Sequence, residues 1–420
     1  MGDLTTGATS SSCLDLASMA DMPPTPPPAA APLDGVLVAD FSRVLAGPLA
    51  AATLADLGAT VVKVERPGAG DDTRAWGPPF VEGTAAYFDA ANRSKQGVTL
   101  DLGDPDDAAL ARELAARADI LIENFKPGSL GRYGLDHGTA LAANPGLVYC
   151  SITGFGTGSA LPGYDFVVQA VGGLMSITGD PDGEPHKVGV ALVDVLTAKD
   201  AVAAILAALR HRDRTGQGQH VEVNLLSSLL GSLANQASGY LATGRPPGRM
   251  GNQHPSIAPY ETLHCGPEGT DLLAVACGND GQFGALTKTL GVPALAEDPR
   301  FATNAARVRN RPALITALET ALDSRSAAEW QTLLTAAGVP CGQVNDLAGA
   351  LALATGLGLD PVADVGAGRV PQVRSPLTLT ATPVRPPVAP PRLGEHNDAV
   401  RAWLSLPRST PLPRTDEESA

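Results

Sequence analysis

The chain has 420 residues, with 30 Lys+Arg against 44 Asp+Glu, a formal net charge of −14, 44% hydrophobic residues and 4% aromatics. That length suits a large domain carrying a smaller one, and the acidic balance excludes a broadly basic nucleic-acid surface. Its 46 Gly and 36 Pro are many for a globular chain, but far below a collagen-like or wholly disordered composition.

Cys13, Cys150, Cys265, Cys277 and Cys341 are widely spaced, without a C-x-x-C. Neither a disulfide framework nor a zinc cluster is expected, and a reducing cytoplasm fits. The leucine-rich uncharged stretch Val223–Gly244 is broken by Asn, Ser, Gln and Gly. It reads as buried helix, not as a membrane span. The first basic residue is Arg43, so the basic n-region of a secretory signal and the arginines of a transit peptide are both missing.

In chain order, residues 1–32 are Ser/Thr-rich and then Pro/Ala-rich, which predicts a disordered leader, with order beginning at Leu33. Val36–Asp40 reads as a buried strand, Gly47–Leu57 as a helix stopped by Gly58, and Thr60–Glu65 as a second strand. Asp104–Ala118 is a helix with an acidic first turn, followed by strands Asp119–Glu123 and Leu147–Ile152. A helix follows at Lys199–Arg212, then strand Gln219–Leu225 and helix Ser227–Leu241. This alternation predicts βαβ units and a parallel sheet. Gly244–Pro259 reads as a Gly/Pro-rich loop. Strand Leu272–Ala276 and helices Gly281–Leu290, Arg311–Leu322 and Ala327–Ala337 make a smaller α+β unit, and Asn397–Leu404 is a last helix. The expected division is a large-domain part over 33–228, a linker helix and Gly-rich loop over 229–259, and a small domain over 260–345. A return segment over 346–405 and a flexible tail over 406–420 complete it.

Several motifs are absent. The turn after the first strand, Phe41–Pro48, holds one glycine, so the usual dinucleotide fingerprint is missing. Gly154-Phe-Gly-Thr-Gly158 follows a strand but runs into Pro162 and reads as a loop. No P-loop, G-x-S-x-G or H-E-x-x-H occurs, which disfavours a P-loop NTPase, an α/β-hydrolase and the common zinc enzymes. No metal and no permanently bound cofactor is expected.

The chemistry-bearing stretch is Gly163-Tyr-Asp165 followed by the apolar Phe166–Ala170. A carboxylate opening an apolar segment can serve as a nucleophile or base, and equally as a helix cap. Local pattern leaves both roles open for Asp165.

Further motifs recur along the chain: Asp40-Phe-Ser-Arg-Val-Leu-Ala-Gly-Pro48, Val64-Glu-Arg-Pro67, Gly70-Asp-Asp-Thr-Arg74, Asn92-Arg-Ser-Lys95, Glu123-Asn-Phe-Lys-Pro-Gly128, Ile152-Thr-Gly-Phe-Gly156 and Leu393-Gly-Glu-His396. In this order, over Leu33 to Leu404, the chain resembles the family III CoA-transferases. The resemblance extends to its dicarboxylate branch, the succinate–hydroxymethylglutarate CoA-transferase-like members, through Trp76-Gly-Pro-Pro-Phe80 and Asn224-Leu-Leu-Ser-Ser228. It implies a large Rossmann-like domain of N- and C-terminal segments, a smaller inserted domain and an interlocked homodimer. It implies reversible CoA transfer between an acyl-CoA and a carboxylic acid. The family's nucleophile is taken onto Asp165, which would pass through an aspartyl anhydride and an aspartyl-CoA thioester. Tyr164, Asp194 and the Gly251-Asn252 loop would support it, the loop through its backbone amides. Val44, Arg66, Asn124 and Arg132 would contact CoA. Gly103 replaces a family lysine, with Lys95 nearby and its substitution for that lysine left open, and Arg43 and Arg74 are expected to anchor an acidic substrate group. The family's racemase branch, which exchanges a Cα proton of 2-methylacyl-CoA, carries histidine where this chain has Tyr164, a poor base with an ordinary pKa of ~10. Racemase and non-catalytic CoA-binding roles are the alternatives. The expected partners are acyl-CoA, small carboxylic acids and a second copy, with no nucleic acid or membrane.

Overall fold

The computed structural model describes residues 30–413 apart from Ala367. The expected leader over residues 1–29 and tail over 414–420 lie outside the described residues. Order starts before Leu33, because Ala31 is buried and packs where Gly58 leaves room for no Cβ. Residues 406–413 are also tied down: Trp403 Nε1 donates to Thr410 O at 2.8 Å and Gln96 Nε2 to Pro413 O at 2.7 Å.

The elements are β1 (Leu37–Asp40), α1 (Ala46–Asp56), β2 (Thr60–Glu65), the hairpin β3 (Phe80–Val81) and β4 (Thr84–Ala85), α2 (Ala86–Asn92), β5 (Lys95–Thr99), α3 (Pro105–Arg117), β6 (Ile120–Glu123), α4 (His137–Ala143), β7 (Val148–Thr153), α5 (Asp165–Val171), α6 (Leu192–Thr215), β8 (Gln219–Asn224), α7 (Leu225–Ser232) and α8 (Ala234–Thr243). Six of these strands form one sheet in the order β5-β2-β1-β6-β7-β8, every pairing parallel. Counted along the sheet this is the doubly wound order 3-2-1-4-5-6, whose direction reverses between β1 and β6.

Side chains alternate across the sheet, and both faces are covered. Val38, Ile120, Ile122, Val148 and Cys150 point to one core shared with α1 and α6. Ala39, Leu121 and Tyr149 point to the other, shared with α3. Val400, Trp403 and Leu404 of the last helix join this second core, so the chain returns to the first sheet. A separate core of Leu263, Leu273, Phe283, Leu314 and Trp330 lies with the antiparallel sheet of β9 (Tyr260–Cys265), β10 (Asp271–Ala276) and β11 (Cys341–Gln343). Four further sites depart from expectation. β5 closes the sheet at an edge where no strand was expected. α6 begins at Leu192, seven residues before the expected Lys199. The expected helix Ser227–Leu241 is two helices that meet near Ala234, where φ is 44°. A further helix runs over Leu347–Gly356.

Candidate active site

In doubly wound sheets ligands bind outside the strand C-termini where the winding reverses. Here that point lies between the loops after β1 and β6. Asn124 joins them: its Oδ1 accepts from Arg43 N at 2.8 Å and its Nδ2 donates to Arg43 O at 2.7 Å. The next residue, Val44, has φ of 70°, a conformation that β-branched residues rarely hold. Buried Asp71 holds it there, accepting from Val44 N at 3.2 Å while paired with Lys63 Nζ at 3.0 Å. Lys63 Nζ also donates to Ser42 O at 3.1 Å, so the turn rests on a buried ion pair.

Beside this turn lies a cleft of about 200 Å³ lined by Arg43, Arg66, Leu102, Gly103, Phe125 and Arg132, among others. Its walls supply apolar and aromatic surface, and its arginines supply cationic donors suited to phosphate. Arg43 lies over the Phe125 ring and Arg132 over the Tyr133 ring. Arg66 and Arg43 share Asp72 as an ion-pair partner, at 2.5 and 3.5 Å. Arg43 Nε and Ser129 Oγ are buried without a hydrogen-bond partner, in a lining that both residues share.

A second feature is a carboxylate pair where α5 and α6 begin. Asp165 is the first residue of α5, with Tyr164 in the N-cap position. Its carboxylate caps the other helix: Oδ1 accepts from Val193 N at 2.8 Å and Asp194 N at 3.3 Å. Oδ2 accepts from Gln169 Nε2 at 2.7 Å. This distant cap explains the early start of α6, because Ala191 offers no side-chain cap of its own. Asp194 lies in the first turn of α6 and is 9% exposed. Its carboxylate makes no hydrogen bond or ion pair among the described residues. Burial and the adjacent Asp165 charge push its pKa up to about 7. Burial and the charges of Asp194, Asp165 and Asp71 raise the pKa of Tyr87 of α2. Trp76 packs edge-on against Tyr87 at 5.5 Å.

Arg43, Arg66, Gly103 and Arg132 come together on the cleft, with Asn124 and Val44 at its edge. Lys95 does not take the place of a lysine at Gly103: it is buried on Asp40 at 2.8 Å, and burial brings it down to about 8. Arg74 is not an open substrate anchor either. It makes a two-pronged pair with buried Glu65 at 2.7 Å and stacks on Phe88. Gly251 N is committed to Gly179 O at 3.0 Å and Asn252 Nδ2 to Thr262 Oγ1 at 2.8 Å. The Gly251 amide is therefore not a free oxyanion donor in this arrangement. Gln169 and Tyr87 were missed in sequence. The available signal was a lone amide four residues after Asp165, on the same helical face.

The model of CoA-transferase family III matches residues 33–397. A succinate–glutarate CoA-transferase from Agrobacterium fabrum is 45% identical over 408 residues, covering 94% of this chain and 100% of that one. An acetyl-CoA:oxalate CoA-transferase from Acetobacter aceti is 38% identical over 92% of this chain and 99% of its own. The crystal structure of a CAIB/BAIF family protein from Brucella suis superimposes with a TM-score of 0.81 at 47% identity, over 90% of this chain and all of that one. With the doubly wound sheet, the arginine-lined cleft and the carboxylate pair, these matches identify the chain as a CoA-transferase of family III.

Proposed function

We propose that this enzyme moves CoA between an acyl-CoA and a dicarboxylic acid, with Asp165 as the nucleophile and Asp194 as a supporting carboxylate. One observation carries it: three donors, the amides of Val193 and Asp194 and the side chain of Gln169, hold the Asp165 carboxylate in one orientation at the start of α6. A carboxylate fixed in this way is aimed for attack on a bound thioester. The amides it meets lie at the positive end of α6, which favours developing oxyanions.

The ionised Asp165 attacks the acyl-CoA carbonyl carbon, the C–S bond breaks and CoA leaves as thiolate. The thiolate attacks the aspartyl carbonyl of the anhydride, releasing the donor acid as carboxylate and leaving an aspartyl-CoA thioester. The acceptor carboxylate attacks that thioester, again expelling thiolate. The thiolate then takes the acceptor's acyl group, and Asp165 is restored as carboxylate. No proton is consumed and no acyl energy is lost to water.

The dicarboxylate class is supported by relatives named for succinate and glutarate, for oxalate and for mesaconate. The cleft formed by Arg43, Arg66 and Arg132 suits the phosphates of CoA, with Val44 and Asn124 shaping its edge. A homodimer is supported by large apolar side chains left exposed, Tyr164 (62%) and Phe166 (57%) on either side of Asp165 and Leu241 (82%) on α8. We read residues 260–345 as the inserted small domain and 346–405 as the return segment. The described cysteines are free thiols, in keeping with a cytoplasmic enzyme. No helix of the described residues is long and apolar enough to cross a membrane. The test is an exchange assay with succinyl-CoA and a panel of acids. New thioester should appear only with an acceptor present, and with dicarboxylates above monocarboxylates of equal length. Equal use of monocarboxylates would overturn the substrate class.

A further inference from the structure

We propose that Asp194 is a catalytic hydrogen-bond donor for the transfer reaction, a neutral carboxylic acid whose O–H meets the substrate carbonyl oxygen as negative charge develops on it. The proposal rests on Asp165 being the nucleophile.

Attack on an acyl-CoA carbonyl puts negative charge on its oxygen, and a donor fixed beside that oxygen lowers the barrier. The donors nearest Asp165 are already committed. The amides of Val193 and Asp194 and the side chain of Gln169 all bind the Asp165 carboxylate itself. Gly251 N is bound to Gly179 O. The Asp194 carboxyl, by contrast, makes no hydrogen bond or ion pair among the described residues, although the residue is only 9% exposed. Its backbone nitrogen lies 3.3 Å from Asp165 Oδ1, so its side chain stands beside the nucleophile.

A carboxylate buried with neither cation nor donor is costly, so burial favours the neutral acid, which has a hydrogen to donate. The charge on Asp165 acts in the same direction, and the two together bring Asp194 to about 7. When Asp165 attacks, its charge passes to the substrate oxygen and stays close to Asp194. The acid therefore keeps its proton while its hydrogen bond strengthens, and no proton changes owner.

The ionisable groups that act on Asp194 are Asp165 of α5 and Tyr87 of α2. Of the other elements packed on α6, α7 has no ionisable residue, and α1 ends in Asp56, which is paired with Arg93. In β7, burial raises Tyr149 and Cys150 and keeps both neutral. In β8, Glu222 is held by Thr157 and His220 by Ser151. Expressing the parent's kcat as a ratio to that of Asp194→Asn at each pH cancels the titration of these groups.

The experiment measures kcat for succinyl-CoA:glutarate exchange and the Kd of CoA in the parent, Asp194→Asn and Asp194→Leu. Asp194→Leu has no donor and is expected to lose about 100-fold in kcat at about pH 6, with the Kd of CoA within about twofold. Asp194→Asn keeps an N–H donor and should lose less. The parent-to-Asn ratio is expected to fall several-fold between about pH 6 and about pH 8.5, because the acid loses its proton and the amide does not. If Asp194→Leu does not fold, that ratio decides alone. A flat ratio, or a parent-like kcat in Asp194→Leu, overturns the proposal. Peptide mapping of the acylated parent separates the two levels. An adduct on Asp165 with a flat ratio removes only the donor role. An adduct on Asp194 removes the nucleophile assignment, and with it this role for Asp194.

Discussion

Asp165 Oδ1 accepts the amide hydrogens of Val193 and Asp194 at 2.8 and 3.3 Å, so the cap of α6 comes from a residue 28 positions upstream of Val193. The proposed nucleophile is thereby also the cap of α6. Asp165→Ala should cost about 1–2 kcal/mol in urea unfolding, the usual worth of a cap, and abolish exchange. Asp165→Asn keeps an acceptor for the two amides and should retain most of that stability while exchange is still lost. Retained exchange in Asp165→Asn would contradict the nucleophilic role.

Burial and the Asp165 charge raise Asp194 to about 7, which sets the sign of a stability effect. The folded pKa exceeds that of an unfolded aspartate, so stability is fully present below the unfolded value of about 3.9 and is lost as pH rises through about 7. Asp194→Asn should therefore be more stable than the parent at about pH 8, by on the order of 2–4 kcal/mol, with little difference at about pH 4. Thermal melts at the two pH values check this.

The ion pair under the Val44 turn is almost wholly inaccessible, with side-chain exposures of 1% for Lys63 and 0% for Asp71. Lys63→Met strands Asp71 without its cation and should cost about 3–5 kcal/mol by chemical denaturation. Where folding survives, the KM for acyl-CoA should rise more than kcat falls, because the disturbed turn borders the cleft rather than the carboxylate pair.

Arg132 makes no hydrogen bond or ion pair among the described residues, and its guanidinium lies on Tyr133. It is the cleft arginine with no carboxylate to release. Arg132→Ala should weaken CoA binding about tenfold and flatten the dependence of Kd on salt. Arg66→Ala should do less, because Arg66 must first part from Asp72. Titrations at two salt concentrations decide it.

The parallel sheet was legible because its strands are short apolar runs between helices with clear stops. β5 was not, since Lys95-Gln-Gly-Val-Thr99 is polar at its start and its Lys95 is buried only through Asp40, 55 residues away. Motifs supplied the residues expected to contact CoA, and the fold gathers Arg43, Arg66, Gly103 and Arg132 on one cleft. The cap that Asp165 gives α6 was not legible, because α6 starts without a capping side chain of its own. The same long-range bond hid the first turn of that helix.

The most direct measurement is mass spectrometry of the enzyme after incubation with succinyl-CoA, with peptide mapping of the adduct. An acyl or CoA adduct is expected on the peptide bearing Asp165 and should be lost in Asp165→Ala. An adduct on Asp194, or one that persists in Asp165→Ala, would contradict the assignment of the nucleophile.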